Sequence, residues 1–247
     1  MSLSDINIRE KEFHNKLQSK KGGRFENIFY KSLYNINEDF FSFIEKKVNH
    51  SKILDFGCGT GDFIEKLAKF KPKKIIGIDI SEISIEKAKE RTKNINIDVD
   101  LYVDNCEKTK FEDNSFDIVY GTGILHHLEF NKCLDEIHRI LKLNGCLVFV
   151  EPLGTNPFIN LYRKLTPNSR SKDEHPLIYK DFEYIDKKFT SINIKYYGFL
   201  TLIFFPFYTL PNQSKIFKLL AYLDQLLFKI KIFRKFAWSV LITAKKN

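Results

Sequence analysis

KILDFGCGTGDF, residues 52–63, sets three glycines within five positions directly after a short apolar run. Glycine gives up more backbone freedom on folding than any other residue, so this spacing implies something that must come close to the main chain. A Gly-rich turn at the end of a strand is where open α/β sheets take ligands, beyond the carboxyl ends of their strands. The glycines are Gly57, Gly59 and Gly61, and Asp62 stands where the G-x-G-x-x-G dinucleotide fingerprint needs its third glycine. That departure counts against a nicotinamide cofactor.

Outward from this loop, KKIIGIDI, DVDLYV, FDIVYG and CLVFVEP are short apolar runs separated by charged amphipathic segments. This alternation predicts a parallel sheet with crossover helices, a doubly wound α/β core. SEISIEKAKERTK is expected to be a helix with Ser81 as its N-cap, and NKCLDEIHRILKLNG a helix that stops at Gly145. Residues 1–50 read as a helical arm, and 51–151 as the core. Residues 152–235 read as an irregular insertion followed by an apolar lid, and 236–247 as a last strand, all within a single domain. Within the insertion, IYKDFEYIDKKF reads as a helix, SINIKYYGF as a strand and NQSKIFKLLAYLDQLLFKIKIF as a very apolar helix.

The chain has 247 residues, 43% of them hydrophobic and 29% charged, enough for one large α/β domain. A net charge of +9 suits anionic partners, yet lysine is spread along the whole chain, which weakens that inference. Cys58, Cys106, Cys133 and Cys146 form no CxxC pair and no zinc spacing, so free thiols in a reducing cytoplasm are expected and no metal is assigned. The charged N-terminal segment has no apolar core of a secretory signal. The longest apolar stretch, GFLTLIFFPFYTL (198–210), is broken by Pro206 and falls short of the roughly 20 residues a bilayer span requires.

Two carboxylates narrow the ligand. Asp55, two residues before Gly57, would repel a pyrophosphate and attract an ammonium group. Asp79 ends the next apolar run, at about the spacing where an acidic residue accepts hydrogen bonds from ribose hydroxyls. A nucleoside joined to an amino-acid cation satisfies both.

LDFGCGTGDF, IIGIDIS, DNCEKTKFEDNSFDIVYGTGILHHL and LKLNGCLVFVEP together resemble the successive motifs of class I S-adenosylmethionine-dependent methyltransferases, small-molecule branch, of the ubiquinone and menaquinone biosynthesis type. The resemblance spans about residues 50–151. It implies a Rossmann-like seven-stranded, mostly parallel sheet with an antiparallel last strand and a helical cap. It also implies S-adenosyl-L-methionine as cofactor. Asp55 and the Gly57, Cys58 and Gly59 backbone would hold its methionine part, Asp79 its ribose, and Ile80 would pack on its adenine. The stretch that contacts the adenine edge aligns with Asn105 and Cys106, or in a register shifted by one with Asp104. Gly121, Thr122 and Gly123 would line the site beside the transferable methyl.

The implied activity is methyl transfer to an oxygen or carbon of a hydrophobic small molecule, lipid-like, phenolic or isoprenoid. Such an acceptor benefits from a base. His127, His14 and His175 are the candidates, and within LHHL either His126 or His127 is expected to pack structurally. The C-terminal apolar helix, with Lys215, Lys218, Lys229 and Lys231 at its ends, fits core, pocket lid or peripheral membrane contact. The alternatives are an RNA methyltransferase, which salt-sensitive RNA binding would reveal, and a cofactor-binding protein without turnover. Apolar pocket-forming segments and the lack of an RNA-binding module disfavour nucleic acid.

Overall fold

The computed structural model describes residues 3–19, 28–167 and 170–247. Its strands are β1 (Lys52–Phe56), β2 (Lys74–Asp79), β3 (Val99–Val103), β4 (Phe116–Thr122), β5 (Leu141–Pro152), β6 (Thr190–Tyr197) and β7 (Ser239–Lys245). They form one sheet in the order 3-2-1-4-5-7-6. β1 to β5 are parallel, and β7 lies antiparallel between β5 and β6. The seven-stranded, mostly parallel sheet with an antiparallel last strand is therefore present as expected.

Central strands of such a sheet are covered on both faces and so are apolar almost throughout. Ile53, Leu54 and Phe56 of β1 and Ile75 and Ile78 of β2 are fully buried. One face is covered by α2 (Tyr34–Glu45), α3 (Asp62–Leu67) and α4 (Glu82–Thr92), through Ile36, Phe40, Ile64 and Ile85. The other is covered by α5 (Phe130–Ile140) and α7 (Tyr179–Lys188), through Leu134, Ile137, Phe182 and Ile185. Each such side chain contributes about 1.5–3 kcal/mol by leaving water.

Ser81 caps α4 as expected, its hydroxyl accepting from Ser84 N at 3.0 Å. Two boundaries differ from expectation. α5 ends at Ile140 rather than running on to Gly145, because Leu141 is already extended, fully buried and paired with Phe116 of β4. A register shift and the left-handed Asn144 (φ 60°) then bring Cys146 opposite Ile118. The insertion after Glu151 is not irregular throughout either. Asn156 Oδ1 accepts from Phe158 N and Ile159 N and Pro157 occupies the first turn, which together start α6 (Pro157–Leu165).

Stretch 198–210 folds into the short α8 (Leu200–Ile203) and a 3-10 turn, and α9 (Lys215–Leu227) follows. The helical arm consists of α1 (Asp5–Ser19) and α2 with a 3-10 turn before it; residues 20–27, which the helical reading also covered, lie outside the described residues. α1 lies across the carboxyl end of the sheet. Asn105 Nδ2 donates to its Asn7 at 3.1 Å, and Arg9 pairs with Asp173 at 2.8 Å. All four cysteines are buried and free. Among the described residues, no helix is long and apolar enough to cross a membrane.

Candidate active site

A cleft of about 1390 Å³ opens at the carboxyl ends of β1, β2 and β4, under α1. The glycine loop forms its floor. Gly57 N and Cys58 N donate to Ile78 O at 2.9 and 2.8 Å, tying the loop to the end of β2. A side chain at Gly57 would lie 2.5 Å from Ile124 Cγ1, whereas one at Gly59 would meet nothing within 4 Å. Gly57 is therefore required for packing, and Gly59 leaves open space over a bare backbone.

Asp79 closes the floor from the β2 side. Its carboxylate accepts from Gly59 N and from Ser81 N, both at 2.9 Å. Burial pushes this carboxyl above its ordinary value, and the two backbone donors work against that rise. Ile80, Asn105, Cys106, Thr122 and Gly123 also face the cleft. Asn105 Oδ1 accepts from Glu107 N at 2.9 Å and retains a second lone pair.

Four of the residues singled out in the sequence stand elsewhere. Asp104 turns its carboxylate back on its own loop, accepting from Asn105 N and Lys110 N, so of the two registers it is Asn105 that faces the cleft. Gly121 lies behind the wall, where a side chain would strike Phe149 Cε1 at 2.6 Å and Phe56 O at 2.8 Å. His175 has a side chain 59% exposed and directs its ring toward Asp181 at 3.7 Å; only its backbone N reaches the site, donating to His126 O. Asp55 lies beneath the loop, 3% exposed. Burial, together with Asp79 and Asp62 nearby, pushes its carboxyl up to about 8. The Tyr120 hydroxyl alongside eases that rise, although neither it nor Asp55 Oδ2 completes a hydrogen bond among the described residues.

The histidine turn after β4 forms the wall beneath α1. His126 Nδ1 lies 2.7 Å from Glu151 Oε2, and Glu151 Oε1 accepts from Ile124 N and Leu125 N at 2.9 and 2.8 Å. Glu151 is wholly buried and so fixes both the turn and the ring. Burial holds His126 below its ordinary range, and the carboxylate only partly offsets this. The hydrogen-bond network thus assigns the Nδ1 proton to the Glu151 side of a neutral ring. His127, 2% exposed at its side chain, faces Glu10 of α1, and His14 packs edge-on against it with ring centroids 5.1 Å apart. Glu10 is held below the usual carboxylate range; burial raises it, but His127, Ser171 and His14 together lower it further.

Glu10 belongs to no motif, and Glu151, although within LKLNGCLVFVEP, carries no role there in the sequence reading. The one local signal is Glu151 itself, a carboxylate closing the apolar run CLVFV. Glu10 carries no comparable mark, since its partners come from a distant part of the chain. Beyond the histidines the cleft becomes aromatic and apolar, lined by Phe29, Tyr30, Phe158, Tyr162, Leu202 and Trp238. No residue of α9 reaches it. That helix packs Phe217 and Leu220 inward and presents Ile216, Leu219, Tyr222 and Leu226 outward, so its reading as a lid over the pocket is corrected.

Residues 54–149 match the family model described as "Methyltransferase domain". The loop, the order of strands and that match coincide. Residues 54–149 carry a methyltransferase domain. Over 155 residues it is 32% identical to a demethylmenaquinone methyltransferase of Staphylococcus haemolyticus, covering 60% of this chain and 64% of the relative. It is 34% identical over 103 residues to the enzyme of the same name from Chlorobaculum parvum, covering 41% of each chain. The matched part thus spans well under two thirds of that relative's length. Among solved structures, the geranyl diphosphate C-methyltransferase of Streptomyces coelicolor superposes with a TM-score of 0.68 at 13% identity over 100% of both chains. An N-methyltransferase of Bradyrhizobium japonicum gives 0.65 at 14% identity, covering 96% of this chain and 98% of its own. At such identities the likeness is one of fold. The shared fold therefore extends beyond residues 54–149 into the β6–β7 half of the sheet.

Proposed function

We propose that this chain transfers a methyl group from S-adenosyl-L-methionine to an oxygen or carbon of a hydrophobic small molecule. The observation that carries the reading is the continuity of one cleft, from the bare Gly59 backbone and the Asp79 carboxylate, past His126, to a ring of aromatic side chains. The residues fit the cofactor: open space over the bare backbone at Gly59 for its methionine part, and the Asp79 carboxylate for its ribose. When bound, the cofactor supplies a methyl group on a positively charged sulfur.

The chain's own part is to hold the acceptor in line and keep water out. His126 is the best-oriented base. It is neutral, its Nδ1–H is directed by Glu151, and its ring lines the cleft. That constellation supports removal of an acceptor proton by the other ring nitrogen. Relatives named for demethylmenaquinone and geranyl diphosphate methylation support an isoprenoid or quinone-like acceptor.

Calorimetric titration with S-adenosylmethionine, S-adenosylhomocysteine and NAD tests the cofactor assignment. Micromolar binding of the first two and none of NAD is expected. Asp79→Ala is expected to weaken S-adenosylhomocysteine at least about tenfold while circular dichroism stays unchanged, since charge-assisted hydrogen bonds contribute about 1.5–3 kcal/mol. Unchanged affinity overturns the site.

The outward face of α9 favours a second role for that helix. Exposed Ile216, Leu219, Tyr222, Leu226 and Ile230 are bordered by exposed Lys215, Lys218, Lys229 and Lys231, a composition suited to an anionic lipid surface. Co-sedimentation with phosphatidylserine vesicles, lost on Leu219→Glu, is the expected result; no binding in low salt removes this role. A cytoplasmic site of action at the membrane surface fits both readings.

A further inference from the structure

Three ligand-type side chains from two distant parts of the chain converge on the cleft wall. α1 presents Glu10 and His14 one turn apart, and the turn after β4 presents His127. His127 Nδ1 lies 3.0 Å from Glu10 Oε2, and His14 Nε2 lies 3.7 Å from the same oxygen. The three donor atoms all lie within 4.8 Å of one another. A tetrahedral zinc ion with bonds near 2.0–2.1 Å sets its ligand atoms about 3.3 Å apart, so small side-chain adjustments bring this set to that spacing.

The site is also unsatisfied as it stands. Glu10 and His127 have side chains 5% and 2% exposed. Glu10 Oε1 accepts from Ser171, but Glu10 Oε2 and both ring nitrogens of His127 are buried without a hydrogen-bond partner among the described residues. Buried polar atoms left over in this way are costly, and one cation held between Glu10 Oε2 and His127 Nδ1 satisfies those two together. Behind the ring, His127 Nε2 lies 3.9 Å from Glu174 Oε1. That sets a carboxylate on the far side of the ring from Glu10, the side from which metal-ligating histidines are oriented, although beyond hydrogen-bond distance.

We propose that Glu10, His14 and His127 bind one divalent transition-metal ion of the zinc type, with a coordination position left open toward the cleft for an oxygen of the acceptor. Two imidazoles and one carboxylate select zinc-class ions over magnesium, which prefers oxygen ligands. All three ligands line the cleft, so the remaining position faces its interior. The acceptor oxygen rests on the methyl-transfer reading; binding of the ion does not.

The test is titration of the chelator-stripped full chain with zinc alone, in competition with a chromophoric chelator and without cofactor. One equivalent bound with submicromolar affinity, not displaced by millimolar magnesium, is expected. Glu10→Gln and His127→Ala, checked for folding by circular dichroism, should each weaken binding about tenfold or more. If either fails to fold, His14→Ala, at a ring 26% exposed, supplies the comparison. Less than one-tenth of an equivalent bound to the wild-type chain, or unchanged affinity in the folded variants, overturns the proposal. S-adenosylhomocysteine binding by the stripped chain is measured separately: its loss with zinc binding intact removes the methyl-transfer reading alone, and the reverse removes the metal alone.

Discussion

Gly57 and Gly59 lie two residues apart, both at positive φ, 79° and 51°, yet they answer to different demands. Gly57→Ala forces a methyl into Ile124 in a backbone region costly for alanine, and about 2 kcal/mol or more of stability should be lost in thermal melts. Gly59→Ala meets open space, so it should cost only about 1 kcal/mol while abolishing cofactor binding. Equal destabilisation by the two would mean that the loop has no ligand-facing residue. Asp55 gives a pH signature. The native carboxyl, raised to about 8 from an ordinary 3.8, keeps a proton that the unfolded chain has already lost. Stability is therefore greatest at low pH in this respect, falls as pH rises between about 4 and 8, and levels off above. Asp55→Asn should flatten the fall in melting temperature between about pH 5 and pH 8; an unchanged slope would place the titration elsewhere. These residues were legible in the sequence because their spacing along the chain carries their chemistry. Glu10, Glu151 and Glu174 were not, since a lone carboxylate acquires meaning only from what the fold brings against it.

Among the elements, α8 depends on a single buried carboxylate. Asp224 of α9 accepts from Leu200 N at 2.7 Å and from Thr201 Oγ1 at 2.9 Å, capping a helix of four residues that has little support of its own. Asp224→Ala should cost about 1–3 kcal/mol, seen as a lower melting temperature. Because α8 contributes Leu202 to the aromatic part of the cleft and nothing to the glycine floor, S-adenosylhomocysteine affinity should hold. A parallel loss of cofactor binding would show that the two halves of the cleft are coupled. Strands and crossover helices of the core were readable, since their apolar periods and the Ser81 cap are local signals. The end of α5 was not, because pairing of Leu141 with β4 overrides the continuing helical pattern. The face that α9 buries was equally hidden: a helix apolar nearly all round does not declare which side turns inward.

For the whole molecule, α1 is the piece that turns a sheet edge into an enclosed site. It joins the loop after β3 through Asn7, α4 through Asn15 and the 170–174 segment through Arg9 and Glu10. Few of these contacts are apolar, so nothing in the helical arm's composition foretold where it docks. Deleting residues 1–19 should leave a cooperatively folding sheet but speed S-adenosylhomocysteine release at least about tenfold in stopped-flow fluorescence, as expected when a closing element that slows dissociation is removed. An unchanged release rate would mean that α1 only decorates the site. The order of strands has a further consequence. β7 lies between β5 and β6 but follows both in the chain, so β6 has no neighbour to pair with until residues 239–245 are available. During synthesis β1 to β5 can assemble as a parallel unit, whereas β6 must wait with both edges bare until the ribosome has released the strand that joins it to the rest.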